Sequence, residues 1–165
     1  MFDLLLNACP PSAVFYGFLG ATASLVLSCI GSAYGTTKAG IAVSQAGVIL
    51  PESVMKFLIP VVMSGIFGIY GLILSMLIVG DINNEGKYPL FDGFVALAAG
   101  LTQGLSSLAA GITVGHVGNA GIAASAQQPR LFTSLILTLI LGEAIALYGV
   151  IVCITMLQKV TGEPC

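Results

Sequence analysis

Long apolar stretches separated by short polar ones set the pattern of this chain, and four of them run Ala13 to Tyr34, Phe57 to Val79, Gly93 to Ala126 and Leu131 to Leu157. At about 1.5 Å per residue, each can cross a hydrocarbon core of about 30 Å as a helix. The third carries no formal charge over 34 residues, so its helix is expected to project beyond the hydrocarbon. Only helices and closed barrels satisfy every backbone N–H and C=O in lipid. The pattern predicts an all-α membrane protein of four transmembrane helices in two hairpins, 12–79 and 91–158, within one membrane domain over 1–165.

The connections carry turn and cap chemistry. Pro51-Glu52-Ser53 sets a proline and an acid at the start of the second span, and Gln127-Gln128-Pro129-Arg130 leads into the fourth in the same manner. Residues Asp81 to Lys87 read as a polar turn between the hairpins.

Positions 78 residues apart match one another: Pro51 with Pro129, Ile69-Tyr70-Gly71 with Leu147-Tyr148-Gly149, and between them Gly65 with Glu143. The earlier halves match with a shift of two or three residues, Gly35 near Gly115 and Gly40-Ile41-Ala42 near Gly121-Ile122-Ala123. The chain reads as a duplicated hairpin that kept one carboxylate of two.

Small or modest residues recur at spacing four in the first span (Gly20, Ser24, Ser28, Ser32) and in the third (Gln103, Ser107, Gly111, Gly115). Small side chains let helices approach closely in lipid, where no hydrophobic drive separates helix from tail. The first and third spans are therefore expected to pack at small radius, with the bulkier second and fourth outside, an arrangement that makes a rotor ring feasible. Packing within a single four-helix monomer would use the same spacing.

Composition sharpens this picture. With 57% hydrophobic and 7% charged residues among 165, the chain lacks the polar surface of a soluble globule, and the lipid bilayer is its solvent. A net charge of -2 with five scattered basic residues argues against nucleic acid as a partner. The opening MFDLLLNACP has no basic n-region, so no removable signal peptide is expected. Cys9, Cys29, Cys153 and Cys165 form no C-x-x-C pair and no ligand cluster with His116, so they read as packing residues and no metal is expected. Lys38, Lys56 and Arg130 lie on one side with a single acid, Glu52, while Lys87 and Lys159 share the other with five. The positive-inside rule then puts the loops at 45–56 and 126–130 in the cytosol and the termini in the lumen.

Glu143 is the one formal charge in the fourth stretch and lies near its centre; the other six acids fall in termini or connections. A carboxylate at that depth costs roughly 2.5 to 3.5 kcal/mol, which marks it as functional, and the expected role is to carry a proton. Counting along antiparallel helices sets Ile112 to Gly115 level with it, and there Thr113 alone carries a hydroxyl. Tyr148, five residues on, is placed either to reach Glu143 across an interface between copies or to pack. Ser64 and Gly65 occupy the twin position. Tyr148, Thr113, Ser64 and Gly65 are thus the candidate neighbours of the proton site. Sodium needs several oxygen ligands where a proton needs one carboxyl, so this sparse set favours protons. Pro60 is expected to bend its helix, with Ser64 able to satisfy the freed carbonyl. Thr138 is expected to bond its own backbone, and His116 to hydrogen-bond at the cytosolic end of its helix or to relay protons. Without a Ser/His/Asp set or a Walker loop, the chain is expected to hydrolyse nothing itself and to need no cofactor.

Several segments resemble one family. Gly31 to Gly40 (GSAYGTTKAG), Ile59 to Gly65 (IPVVMSG), Ile69-Tyr70-Gly71, Gln127 to Phe132 (QQPRLF) and Gly142 to Gly149 (GEAIALYG) are similar, in order, to the proteolipid (c) subunits of eukaryotic vacuolar-type proton ATPases. The resemblance covers roughly residues 12 to 158. It implies a rotor ring in the V0 sector, built of copies of this chain and paralogous proteolipids and turned by ATP hydrolysis in a separate peripheral sector. It implies one essential carboxylate per two hairpins, at Glu143, facing an arginine of the stator a subunit. It also implies central-stalk subunits on the cytosolic face and a vacuolar or other acidic-organelle membrane. The family usually has an aliphatic residue at His116 and Asp at Asn119, and both the main proteolipid and its c-prime paralogue fit. Competing readings are a structural tetraspan forming an oligomeric pore or membrane junction, and a sodium-translocating rotor.

Overall fold

The computed structural model describes residues 11–82 and 88–160, and the regular structure among them is helical. Helix α1 spans Pro11–Ile49; a 3-10 turn, Pro51–Ser53, and the short α2, Val54–Phe57, lead into α3, Ile59–Ile82; α4 spans Leu90–Gln127 and α5 Leu131–Leu157. Four segments are long and apolar enough to cross a membrane, Ser12–Ile49, Pro51–Ile82, Leu90–Gln127 and Leu131–Leu157. Residues 83–87 of the expected turn, the acids Asp3 and Glu163, Cys9, Cys165 and the expected lumenal termini lie outside the described residues.

The first helix is longer than its apolar run. Hydrophobicity falls after Tyr34, but α1 continues to Ile49, because helix backbone bonds are local and its polar residues return their hydroxyls to that backbone. Thr36 donates to the Ser32 carbonyl (2.9 Å), Thr37 to Ala33 (2.7 Å) and Ser44 to Gly40 (3.0 Å). With 39 residues in α1 and 38 in α4, both helices reach about 57 Å and outrun the hydrocarbon, as expected for α4.

Helices α1 and α4 lie backbone to backbone. A Cβ on Gly31 would stand 2.7 Å from both Leu108 Cα and the Ser107 carbonyl oxygen, and one on Gly100 or Gly111 would strike the carbonyl of Gly20 or Gly31. Contacts advance together, Gly20 with Gly100, Gly31 with Gly111 and Gly35 with Gly115, so the two helices run parallel. Helix α3 covers α1, where Gly71 meets Ser28, and α5 covers α4, where Gly149 meets Gln103 and Ser106. The small-residue helices thus form an inner pair under the bulkier ones. Phe67, Val114, Leu139 and Ala146 join α3, α4 and α5 in the main apolar cluster.

Two expectations change. Pro60 has no N–H to give the Lys56 carbonyl, and the chain breaks its helix at Leu58. Leu58 N–H reaches both the Val54 and the Lys56 carbonyls, while the Ser64 hydroxyl turns instead to α1 and donates to the Ser32 carbonyl at 3.2 Å. Asp92, read as part of a connection, lies in the first turn of α4 and is only 1% exposed. An acid is favoured there by the unbonded N–H groups and the dipole of the helix start. Tyr88 packs over this end and donates to the Asp92 carbonyl oxygen at 3.1 Å. Burial, then the charges of Asp92 and Asp81, push the Tyr88 hydroxyl up to about 12.

Candidate functional site

Glu143 stands near the middle of α5, half-buried. Tyr70 of α3 donates its hydroxyl to Glu143 Oε1 at 3.4 Å, longer than the usual 2.5 to 3.0 Å for O–H···O, so the carboxyl is held loosely. Two features of the sequence build this contact. Gly142 lets α5 settle on α4: a Cβ there would lie 3.2 Å from Val114 Cγ2 and 3.8 Å from Thr113 Cγ2, which sets Thr113 and Val114 level with Glu143 as counted. Duplication supplies the second feature. Both α3 and α5 open their hairpins' second halves, so they run side by side in the same direction, and Tyr70 lies five residues beyond Gly65, the twin of Glu143. Helical side chains tilt toward the N-terminus, which carries the Tyr70 ring back to the level of the acid.

The expected neighbours fare differently. Thr113 is level with the carboxyl, but its hydroxyl donates to the Ala109 carbonyl at 2.9 Å. Ser64 is buried and committed to Ser32. At Gly65 a Cβ would meet nothing within 4 Å. Tyr148 is 64% exposed, and the tyrosine hydrogen-bonded to Glu143 is Tyr70. Tyr70 was missed as a site residue because it lies five residues beyond Gly65, the position counted as level with the acid, and the turn of α3 against α5 brings it there. The repeat held the signal, since it places a tyrosine in each hairpin at the same remove from the acid's position.

Three other polar residues singled out in the sequence have local partners. Thr138 donates to the Ser134 carbonyl at 3.0 Å, as expected. His116 shares a hydrogen bond with Tyr34 (3.0 Å), and Lys38 Nζ stands 5.9 Å from the centre of the Tyr34 ring, so His116 joins α4 to α1. Cys153 and Cys29 are both free; Cys153 is buried beside Leu74 and Ala99, a packing residue as read, whereas Cys29 is exposed. Among the described residues no group of three or more His, Cys, Asp or Glu could hold a metal ion. What remains is one carboxyl with one hydroxyl donor, chemistry suited to taking up and releasing a proton.

The family model described as that of the ATP synthase C subunit matches the chain twice, over residues 19–78 and 97–156. The second segment starts 78 residues after the first (97 against 19), the same displacement that relates Gly65 to Glu143 and Tyr70 to Tyr148. The 16 kDa proteolipid (c) subunit of the V-type proton ATPase of Nephrops norvegicus is 48% identical over 150 residues, covering 91% of this chain and 94% of that protein. The chain therefore belongs to the family of ATP synthase C subunits and, within it, to the V-type proteolipids.

Proposed function

We propose that this chain is the proton-conducting rotor subunit of a vacuolar-type ATPase and that Glu143 is its carrier. The observation that carries the reading is the isolation of Glu143: an acid near the centre of a membrane-crossing helix, with Tyr70 as its hydrogen-bond partner. An ionised carboxylate is penalised in hydrocarbon, so the neutral, protonated form is the one that travels through lipid as the ring turns. A cation on a stationary neighbour favours the ionised form at close range and discharges the proton into an aqueous half-channel. An arginine of the stator a subunit fills that role, and a second half-channel reloads the acid. Copies of this chain and paralogous proteolipids make up the ring. Central-stalk subunits grip the cytosolic face, formed by the loops at 45–56 and 126–130, in an acidic-organelle membrane with lumenal termini.

Protons rather than sodium suit the site because the hydrogen-bond partner placed against the carboxyl is a single hydroxyl, that of Tyr70. One carboxyl and one hydroxyl are fewer oxygens than the several a hard cation needs. Carbodiimide labelling of Glu143 in the purified complex tests both points. Labelling that stops proton uptake and is unaffected by sodium is expected; protection by sodium would replace the proton reading with a sodium rotor.

A further inference from the structure

The two connections at one end of the bundle enclose a pocket of about 80 Å³ between the turn that follows α1 and the start of α5. Phe57, Pro129 and Phe132 form its apolar wall, with the rings of Phe57 and Phe132 edge to face at 6.5 Å. Ser53, Lys56 and Ser125 supply its polar side. Ser125, in the last turn of α4, is 2% exposed, and its hydroxyl has no hydrogen-bond partner. A buried hydroxyl in that condition is costly. A helical serine commonly returns its proton to the carbonyl four residues back, as Ser44 does to Gly40, but Ser125 does not. Lys56 is exposed and makes no ion pair among the described residues. Glu52, the one acid of these connections, is exposed and does not line the pocket, while Arg130 adds a second cation beside Pro129.

Depth identifies the occupant. Glu143 is near the middle of α5, and the helix begins at Leu131, twelve residues earlier, which sets the pocket about 18 Å from the acid along the axis. The hydrocarbon ends about 15 Å from its midplane, so the pocket opens at the level of lipid phosphates. At about 15 Å³ for each water-sized group it takes about five of them, room for a phosphate and its oxygens. We infer that this pocket holds the phosphate of an anionic glycerophospholipid, one per chain. The Ser125 and Ser53 hydroxyls donate to the phosphate oxygens, Lys56 supplies the opposite charge, and the glycerol end rests on Phe57 and Phe132. A charge-assisted hydrogen bond satisfies Ser125, and a basic side chain at the membrane surface attracts anionic lipid. Water alone would answer the hydroxyl and leave the cation and the apolar wall without a role. One lipid per chain follows from the repeat, since the counterpart of Ser125, 78 residues earlier, is Gly47, which has no hydroxyl. The lipid ties the first hairpin to the second where the outer helices begin. It stands apart from the proton-carrier reading, because neither Glu143 nor Tyr70 lines the pocket.

Native mass spectrometry of the intact purified complex reads the retained lipid directly. The complex is stripped of loose lipid in detergent, given phosphatidylglycerol or phosphatidylcholine, and the lipid kept per copy of this chain is counted. One phosphatidylglycerol per copy is expected, with phosphatidylcholine shed. Ser125→Ala should lower retention about tenfold, the worth of a hydrogen bond to a charged group. Lys56→Gln should lower it about fivefold, whereas Lys159→Gln, at the other end of the bundle, should leave it at the parental level. Lys56 is exposed, so its variant assembles and decides the matter even where the Ser125 variant does not. Equal retention of the two lipids, or parental retention in Lys56→Gln, overturns the inference. Displacement of phosphatidylglycerol by inorganic phosphate overturns it as well, since the pocket would then be a site for a small anion taken from water.

Discussion

Tyr70 and Tyr148 occupy equivalent places 78 residues apart, yet Tyr70 donates to Glu143 at 3.4 Å while Tyr148 stands exposed on the opposite side of α5. The difference separates a tuning group from a packing group. Tyr70→Phe removes one long hydrogen bond to the acid, worth at most about 1 kcal/mol, so pumping is expected to persist within roughly fivefold of the parent. The carboxyl then loses the hydroxyl that holds its Oε1. Carbodiimide labelling at a fixed pH should therefore quicken in Tyr70→Phe and stay unchanged in Tyr148→Phe. Equal labelling rates in all three proteins would remove the role given to Tyr70.

Glu143→Gln keeps the size of the side chain and its capacity for a hydrogen bond with Tyr70, and it removes titration. A complete ring that moves no protons is expected. Native mass spectrometry of the ring together with proton uptake into vesicles checks both halves, and retained uptake would contradict the assignment.

Much of this was legible in the sequence, for identifiable reasons. The spans follow from solvent preference, and Glu143 stands out because a charge in hydrocarbon is costly. The full reach of α1 was hidden because Gly35 to Lys38 end the apolar run without ending the backbone hydrogen bonding. Tyr70 was hidden because the tyrosine that meets the acid is chosen by the rotation of α3 against α5, a tertiary quantity that spacing along one helix does not contain. Asp92 looked like loop chemistry because burial of an acid at a helix start depends on what folds over it, here Tyr88.

The inner helix pair makes a sharp stability contrast. Alanine gains about 1 kcal/mol over glycine in a helix interior, and Gly40→Ala in α1 should keep that gain, since a Cβ there meets nothing within 4 Å. Gly111→Ala drives its methyl into the Gly31 carbonyl, where backbone cannot yield cheaply, and overpacking of this kind costs about 1 to 3 kcal/mol. Thermal dissociation of the ring in detergent should rise slightly or hold in the first variant and fall in the second. A Gly111→Ala ring as stable as the parent would show that α1 and α4 do not touch.

Tyr88 gives an alkaline signature. Its hydroxyl, ordinarily near 10.0, is pushed up to about 12, so the folded chain keeps this proton while the unfolded chain loses it. Below 10 both states hold the proton and the group adds no pH dependence. Between 10 and 12 the unfolded state binds fewer protons, so stability falls as pH rises. Tyr88→Phe should flatten that alkaline decline, read as loss of helical signal against pH, and the phenolate difference spectrum should place the missing transition near 12. A transition near 10 would mean that Tyr88 is not buried against Asp92.

Gly65 offers a last experiment, because the duplication left its site blank rather than filled by another side chain. Gly65→Glu restores an acid at the twin of Glu143, and within the chain its Cβ meets nothing within 4 Å. Two labelled carboxyls per chain are expected where the parent has one. The free energy available from ATP per turn is unchanged, while each proton moved against one pH unit costs about 1.36 kcal/mol. Twice the protons per turn must then stall at about half the gradient. Vesicles with the membrane potential clamped to zero should reach a steady pH difference about half that of the parent, with faster initial uptake per ATP hydrolysed. A parental limiting gradient despite double labelling would mean that the acid at Gly65 never meets the half-channels, and that a carboxyl works only on α5.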